Sequence, residues 1–170
     1  MKILVAGIGN IFFGDDAFGC EVIRALRQRA LPQEVTVTDF GIRGYDLAYA
    51  LTNDFDAVIL VDAAPRNSVP GTLYLIEPDT EGTNDSRDTM MDGHAMSPIT
   101  VIKMAKSFGR VCEKLYLVGC EPETCENGDD QMGLSPKVQE AIPQALAMID
   151  SLVNELLGIR EQEIASLSLA

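Results

Sequence analysis

Apolar runs of five to seven residues recur along this chain with helix-patterned stretches between most of them, and a chain built that way closes on itself in few ways. KILVA at 2–6, VTVTD at 35–39, AVILVD at 57–62, TLYLI at 72–76 and KLYLVGC at 114–120 carry the β-branched and aliphatic residues that suit strands. Strands separated by helices pair in parallel, because a parallel return needs a crossover of a dozen or more residues. The expected fold is therefore α/β: a three-layer sandwich with a mainly parallel, twisted sheet of about five strands and helices on both faces. AVILVD is apolar at every position but the last and should be central. TLYLI follows it too closely for a helical crossover and should be antiparallel or at an edge.

The helices announce themselves by spacing. Phe18, Val22, Leu26 and Ala30 recur every fourth residue, with Pro32 just past the end. A shorter helix is expected from about Tyr45. Ser97-Pro98 is an N-cap and first-turn pair that opens a helix through Ile99, Ile102 and Ala105. Ser135-Pro136 repeats the signal before a long final helix striped by Val138, Ile142, Leu146, Ile149, Val153 and Leu156, which Pro143 should bend. The 170 residues fit one domain over 1–170, with a loosely held tail over 159–170.

Charge narrows the partners. With 13 Lys and Arg against 26 Asp and Glu, the net charge of -13 repels phosphate backbones and anionic lipid, which argues against nucleic acid and membrane partners. The opening MKILVAGIGN has no long apolar core or small-residue cleavage site and reads as a strand, not a signal peptide. No run approaches the roughly 20 apolar residues of a spanning helix. The expectation is a soluble, cytoplasmic monomer. Cys20, Cys112, Cys120 and Cys125 show no CxxC spacing and read as reduced, mostly buried thiols.

In an open α/β sheet, ligands bind beyond the carboxyl ends of the strands. Four places there are polar. GIGNIFFGDDAFG after the first strand brings Asp15 and Asp16; the second strand ends at Asp39, followed by FGIRG with Gly41 and Gly44; the third ends at Asp62; and His94, the single histidine, precedes the third helix. Each has an ordinary explanation as well. Asp16 could cap the first helix, Asp39 and Asp62 could orient loops through backbone amides, and His94 could decorate a loop. Parallel topology, however, brings the first and third strand ends to one rim, where two carboxylates repel unless a proton or a cation intervenes. Carboxylates with one imidazole form a borderline ligand set that nickel or zinc accepts, with coordination positions left open. The polar loop at 77–96 holds Glu77, Asp79, Glu81, Asp85, Asp88 and Asp92 against one Arg87, and could meet a basic patch on a partner.

Taken in order, GIGNIFFGDDAFG, DFGIRGYDL, VDAA, HAMSP and LVGCEPE resemble the successive motifs of the hydrogenase maturation endopeptidases, from residue 3 to about 123. Those enzymes trim the C-terminal extension from the precursor of a nickel-iron hydrogenase large subunit. The resemblance implies that Asp16, Asp62 and His94 form the metal-binding and catalytic set. The family position matched by Asp16 is often Glu, of which Asp is the shorter equivalent. Asp39, with Gly41 and Asn10 in the matched motifs, takes a supporting position. The implied cofactor is a divalent metal, nickel carried in by the client, and the implied partner is the large-subunit precursor. A dinucleotide-binding domain is the first rival, because GIG follows a strand, but Phe12 stands where GxGxxG needs its third glycine. A phosphoacceptor receiver-like module is the second, and no Lys closes the last strand as that reading requires.

Overall fold

The most apolar run of the sequence becomes the centre of the molecule. In the computed structural model, which describes residues 1–78, 97–123 and 132–159, AVILVDA forms β3 (Ala57–Ala63), with all but its last residue buried. Before it come β1 (Ile3–Ile8) and β2 (Val35–Gly41), and after it β4 (Leu73–Ile76) and β5 (Lys114–Cys120). The strand order is β2-β1-β3-β5-β4. All neighbours are parallel except β4, which pairs antiparallel with β5 at the edge, as its short connection demands.

Among the described residues, four α-helices cover the two faces. Helix α1 (Phe18–Leu26) and α4 (Pro136–Leu157) bury Phe18, Val22, Ile23, Leu26, Val138 and Ile149 against one face of the sheet. Helix α2 (Gly44–Ala50) and α3 (Pro98–Phe108) bury Leu47, Ala48, Val101 and Ala105 against the other. This is the three-layer α/β sandwich expected from the strand pattern.

Local details depart from the periodicity. Helix α1 stops at Leu26, short of Ala30, and the chain tightens there, with the Gln28 and Arg29 N–H groups donating three residues back to the Ala25 and Leu26 carbonyls before Pro32. Helix α4 continues through Pro143 as one element. Ser97 accepts a hydrogen bond from the Thr100 amide and caps α3 as its sequence signal promised. Ser135 does not cap α4 through its side chain, although the sequence pair is the same. Among the described residues, no helix is long and apolar enough to cross a membrane.

One close approach explains how the first loop works without a third glycine near Phe12. Gly19, on α1, lies so near the sheet that a Cβ there would overlap the carbonyl oxygens of Ile8 and Val61. The tight helix-strand packing that a nucleotide-binding loop obtains at its third glycine is supplied here seven residues later, after a 3-10 turn over Gly14–Ala17. That turn moves the start of α1 back and leaves residues 10–13 as a loop over the rim.

Candidate active site

Strand register places the candidate carboxylates. Asp39 on β2 pairs with Gly7 of β1, and Gly7 pairs on its other side with Val61 of β3, the residue before Asp62. Asp39 and Asp62 therefore flank the carboxyl end of β1, and the loop that leaves β1 returns Asp16 above it. The charges of all three bear on one buried thiol, Cys20 on the first turn of α1. Its pKa is pushed up to about 12 from 9.0, first by burial, then by the charge of Asp39 and a hydrogen bond to it, and further by the charges of Asp16 and Asp62. The Cys20 sulfur also lies 3.6 Å from the Gly9 carbonyl oxygen. A proton held on sulfur is the physical answer to a thiol set among acids.

Each carboxylate is oriented by an amide from its own neighbourhood. Asp16 Oδ2 accepts from the Asn10 N–H at 2.8 Å, Asp39 Oδ1 from the Gly41 N–H at 2.9 Å, and Asp62 Oδ1 from the Ala63 N–H at 2.9 Å. Asp16 thus closes its loop back onto Asn10, and the N-cap position of α1 falls on Ala17. Asp39 and Asp62 do orient their loops, as one reading of the sequence held, and they do so inside the shared cluster. Asn10 has a second duty, its Oδ1 accepting from the Phe12 N–H. Gly41 has φ +54, a left-handed geometry that lets its amide turn back to Asp39 while its carbonyl oxygen accepts from the Gly9 N–H at 3.2 Å. The first and second loops are in this way joined at their roots. Arg43 closes the second loop, its guanidinium donating to the backbone oxygens of Asp39 and Phe40.

His94 lies outside the described residues, together with the rest of the polar loop from 79 to 96, Cys125 and the tail from 160. Among the described residues, no three His, Cys, Asp or Glu groups are arranged to hold a metal ion. The described carboxylates supply oxygen donors of the right chemistry for a divalent cation but need a further donor to complete a site.

A second set of buried acids on the same rim does different work, and sequence reading passed over it. Glu121, 4% exposed, takes the Arg66 N–H on both oxygens, at 3.0 and 2.8 Å, and the Tyr74 hydroxyl at 2.6 Å. Its backbone meets Thr72 and Gly71, so one residue ties the β3–β4 connection to the end of β5. Asp15, 1% exposed, accepts from the Ser135 N–H at 2.6 Å and the Glu123 N–H at 2.8 Å. Of the adjacent pair Asp15-Asp16, the first fastens the start of α4 to the first loop and the second joins the Cys20 cluster. Nothing in the spacing of two adjacent acids separates these roles; only the long-range partners do.

The arrangement can be set beside known proteins. The profile of the hydrogenase maturation protease family matches residues 20–152. The chain belongs to the hydrogenase maturation protease family. It is 32% identical over 157 residues to the hydrogenase 2 maturation protease of Escherichia coli strain K12, covering 91% of this chain and 92% of that protein. It is equally 32% identical over 148 residues to a putative hydrogenase maturation protease of Methanocaldococcus jannaschii, covering 86% and 93%. Among solved structures, the hydrogenase maturating endopeptidase HybD from E. coli superposes with a TM-score of 0.72 at 30% identity, covering 91% of this chain and 93% of that one. A hydrogenase 2 maturation peptidase from a Thaumarchaeota archaeon gives 0.66 at 31% identity, covering 94% and 100%. A member of this family is a protease, and its chemistry is hydrolysis of a peptide bond.

Proposed function

We propose that this protease removes the C-terminal extension of a nickel-iron hydrogenase large-subunit precursor after nickel has been inserted, using Asp16 and Asp62 with His94 to engage the metal. The observation that carries the reading is that three separate segments bring Asp16, Asp39 and Asp62 to one rim: Asp39 and Asp62 stand at the ends of the strands that flank β1, and Asp16 is bonded back to Asn10 in the loop that leaves β1. Oxygen donors of this kind suit a divalent cation, and an imidazole from His94 is the donor that would complete the set. The nickel arrives in the client and belongs to the substrate. When bound, such an ion can polarise the scissile carbonyl or lower the pKa of an attacking water.

The chain's own residues hold and aim. The Asn10 and Ala63 amides fix one oxygen each of Asp16 and Asp62, so these carboxylates keep their direction when the client arrives. Asp39 is fixed by Gly41, and burial together with the neighbouring Asp39 keeps the proton on Cys20. A thiol with a pKa of about 12 is no nucleophile at neutral pH, which favours water over a covalent thioester route. The reading takes the chain as a cytoplasmic monomer; Cys20, Cys112 and Cys120 as free thiols support a reducing compartment.

The test is a mass measurement. The purified chain is mixed with nickel-loaded and with nickel-free precursor, using wild type, Asp16→Asn and His94→Ala. Loss of the C-terminal extension from the nickel-loaded precursor alone, and by wild type alone, is the expected result. Equal cleavage of both precursors would remove the metal gate, and full activity in His94→Ala would remove that ligand.

A further inference from the structure

Large apolar side chains left in water are unevenly placed on this protein. Among the described residues, those exposed by 60% or more are Phe12, Ile42, Tyr45, Tyr49, Val69 and Met132. All but Tyr49 lie in connections at the carboxyl ends of strands or in the first turn of the helix that follows. Phe12 has Ile11 and Phe13 beside it, 49% and 48% exposed, in the loop that runs from Asn10 to Asp16. Ile42 and Tyr45 follow Asp39 in the next loop and the start of α2. The two loops leave adjacent strands and are joined by the Gly9–Gly41 hydrogen bond, so both apolar groups flank the same acidic cluster. Asp16 and Asp39 of the acidic cluster share these two segments with the apolar side chains, and Asp62 comes from a third, the end of β3.

Exposing two phenylalanines in succession is unfavourable in water, and the fold could have avoided it. The loop has no internal need for them, since the phenylalanines take part in its closure only through backbone groups: the Phe12 N–H donates to Asn10 Oδ1, the Phe13 N–H to the Asn10 carbonyl, and the Asp16 N–H to the Phe13 carbonyl. Any residue with an N–H would keep those bonds. What the side chains add is an adhesive border to the site.

We infer that Ile11, Phe12 and Phe13, with Ile42 and Tyr45, form the docking surface for an apolar stretch of the client polypeptide next to its scissile bond. The inference rests on the functional reading above and deepens it by naming what the client must present: aliphatic or aromatic side chains within a few residues of the cut. The occupant is the client because the apolar side chains sit on the two loops that carry Asp16 and Asp39, which are joined at their roots, so a polypeptide brought to the acidic cluster meets them. Specificity among clients then comes from apolar fit at the border, while the acids inside read the metal.

The experiment uses the full chain with the double variants Phe12→Ser/Phe13→Ser and Ile42→Ser/Tyr45→Ser. Phe108→Ser, an exposed aromatic at the far end of α3, serves as the control. KM, kcat, thermal midpoint and oligomeric state are measured, and binding of nickel-loaded precursor is followed separately by size-exclusion chromatography. Each double variant should raise KM about 10- to 100-fold with a much smaller change in kcat, an unchanged midpoint and an unchanged oligomeric state, while Phe108→Ser leaves KM alone. An unchanged KM in both variants overturns the proposal. So does a midpoint lowered by several degrees, which would mean the border is covered by the chain itself. A wild-type dimer that the variants dissolve would make it a self-association surface instead. Precursor that binds wild type without being cut, and fails to bind the variants, would keep the surface and overturn the protease reading alone.

Discussion

Two sets of acids stand on one rim of the same sheet, and they differ in where their hydrogen-bond donors come from. Asp15 and Glu121 accept amides from segments 55 to 120 residues away in sequence. Asp16, Asp39 and Asp62 accept amides from one to six residues away. A long-range bond joins parts of the fold, so losing it loosens the fold; a short-range bond only sets the direction of a carboxylate. The first set is mechanical and the second is aimed. Substitutions should therefore separate stability from activity along this line.

The widest separation is expected for the aimed set. Asp16→Asn and Asp62→Asn keep shape while removing charge, and each should lower kcat/KM by about a thousandfold, some 4 kcal/mol of transition-state stabilisation. Thermal midpoints should stay within a few degrees of wild type. A variant that loses activity only because it melts would place its carboxylate with the mechanical set.

The mechanical set should show the reverse. Glu121→Ala leaves the Arg66 N–H and the Tyr74 hydroxyl without their buried acceptor, and should cost about 2–4 kcal/mol of stability. For a domain of this size, that lowers the midpoint by roughly 5–15 °C. Asp15→Ala should behave similarly, because two part-buried amides lose their buried acceptor. Below the melting range, the protease should still cut its client, and an assay run at low temperature against a calorimetric scan separates the two effects. Loss of cleavage in a fully folded Glu121→Ala protein would break the division.

The division also marks what could be read from residue order alone. Strand positions, the mainly parallel pairing and the exceptional fourth strand were legible because β-branched runs and the lengths between them leave few alternatives: LYLI at β4 has too little chain before it for a parallel crossover and was expected to be antiparallel or at an edge. The rim was legible for the same reason, since Asp39 and Asp62 end strands that flank β1. Asp15 and Glu121 were not. Their partners are backbone amides of Ser135, Glu123 and Arg66, and an amide carries no residue-specific mark. The setting of Cys20 was equally hidden, because a cysteine on a helical apolar face looks the same whether it lies among aliphatic side chains or beside an acid such as Asp39.

Thiols offer a finer cut, through pH. Burial first, and then nearby acids, push both Cys20 and Cys120 up to about 12 from an unfolded value of 9.0. The folded chain then keeps protons that the unfolded chain releases, so the contribution to stability is fully present below pH 9 and is lost as pH rises toward 12. The loss should amount to no more than about 1.4 kcal/mol per pH unit for each thiol. Cys20→Ala should flatten part of this slope in chemical denaturation followed from pH 8 to 11. Native Cys20 should also resist alkylation at pH 8. Rapid labelling would mean that the Cys20 sulfur is not the buried, protonated thiol described above.

The smallest effect tests the mechanical set at a single helix start. Helices α3 and α4 begin with the same Ser-Pro pair, yet only Ser97 uses its hydroxyl as a cap. The Ser135 Oγ is buried without a hydrogen-bond partner, whereas the Ser135 N–H is held by Asp15. Fastening through the backbone makes the side chain dispensable there. Ser97→Ala should cost about 1 kcal/mol, as loss of an N-cap does. Ser135→Ala should fall within about 0.5 kcal/mol of wild type, or stabilise slightly, since it removes a buried hydroxyl that has no acceptor or donor. In the Asp15→Ala background that indifference should vanish: with the carboxylate gone, the freed start of α4 has only the Ser135 hydroxyl left to cap it. A Ser135→Ala penalty of the same size in both backgrounds would show that Asp15 is not what holds this helix in place.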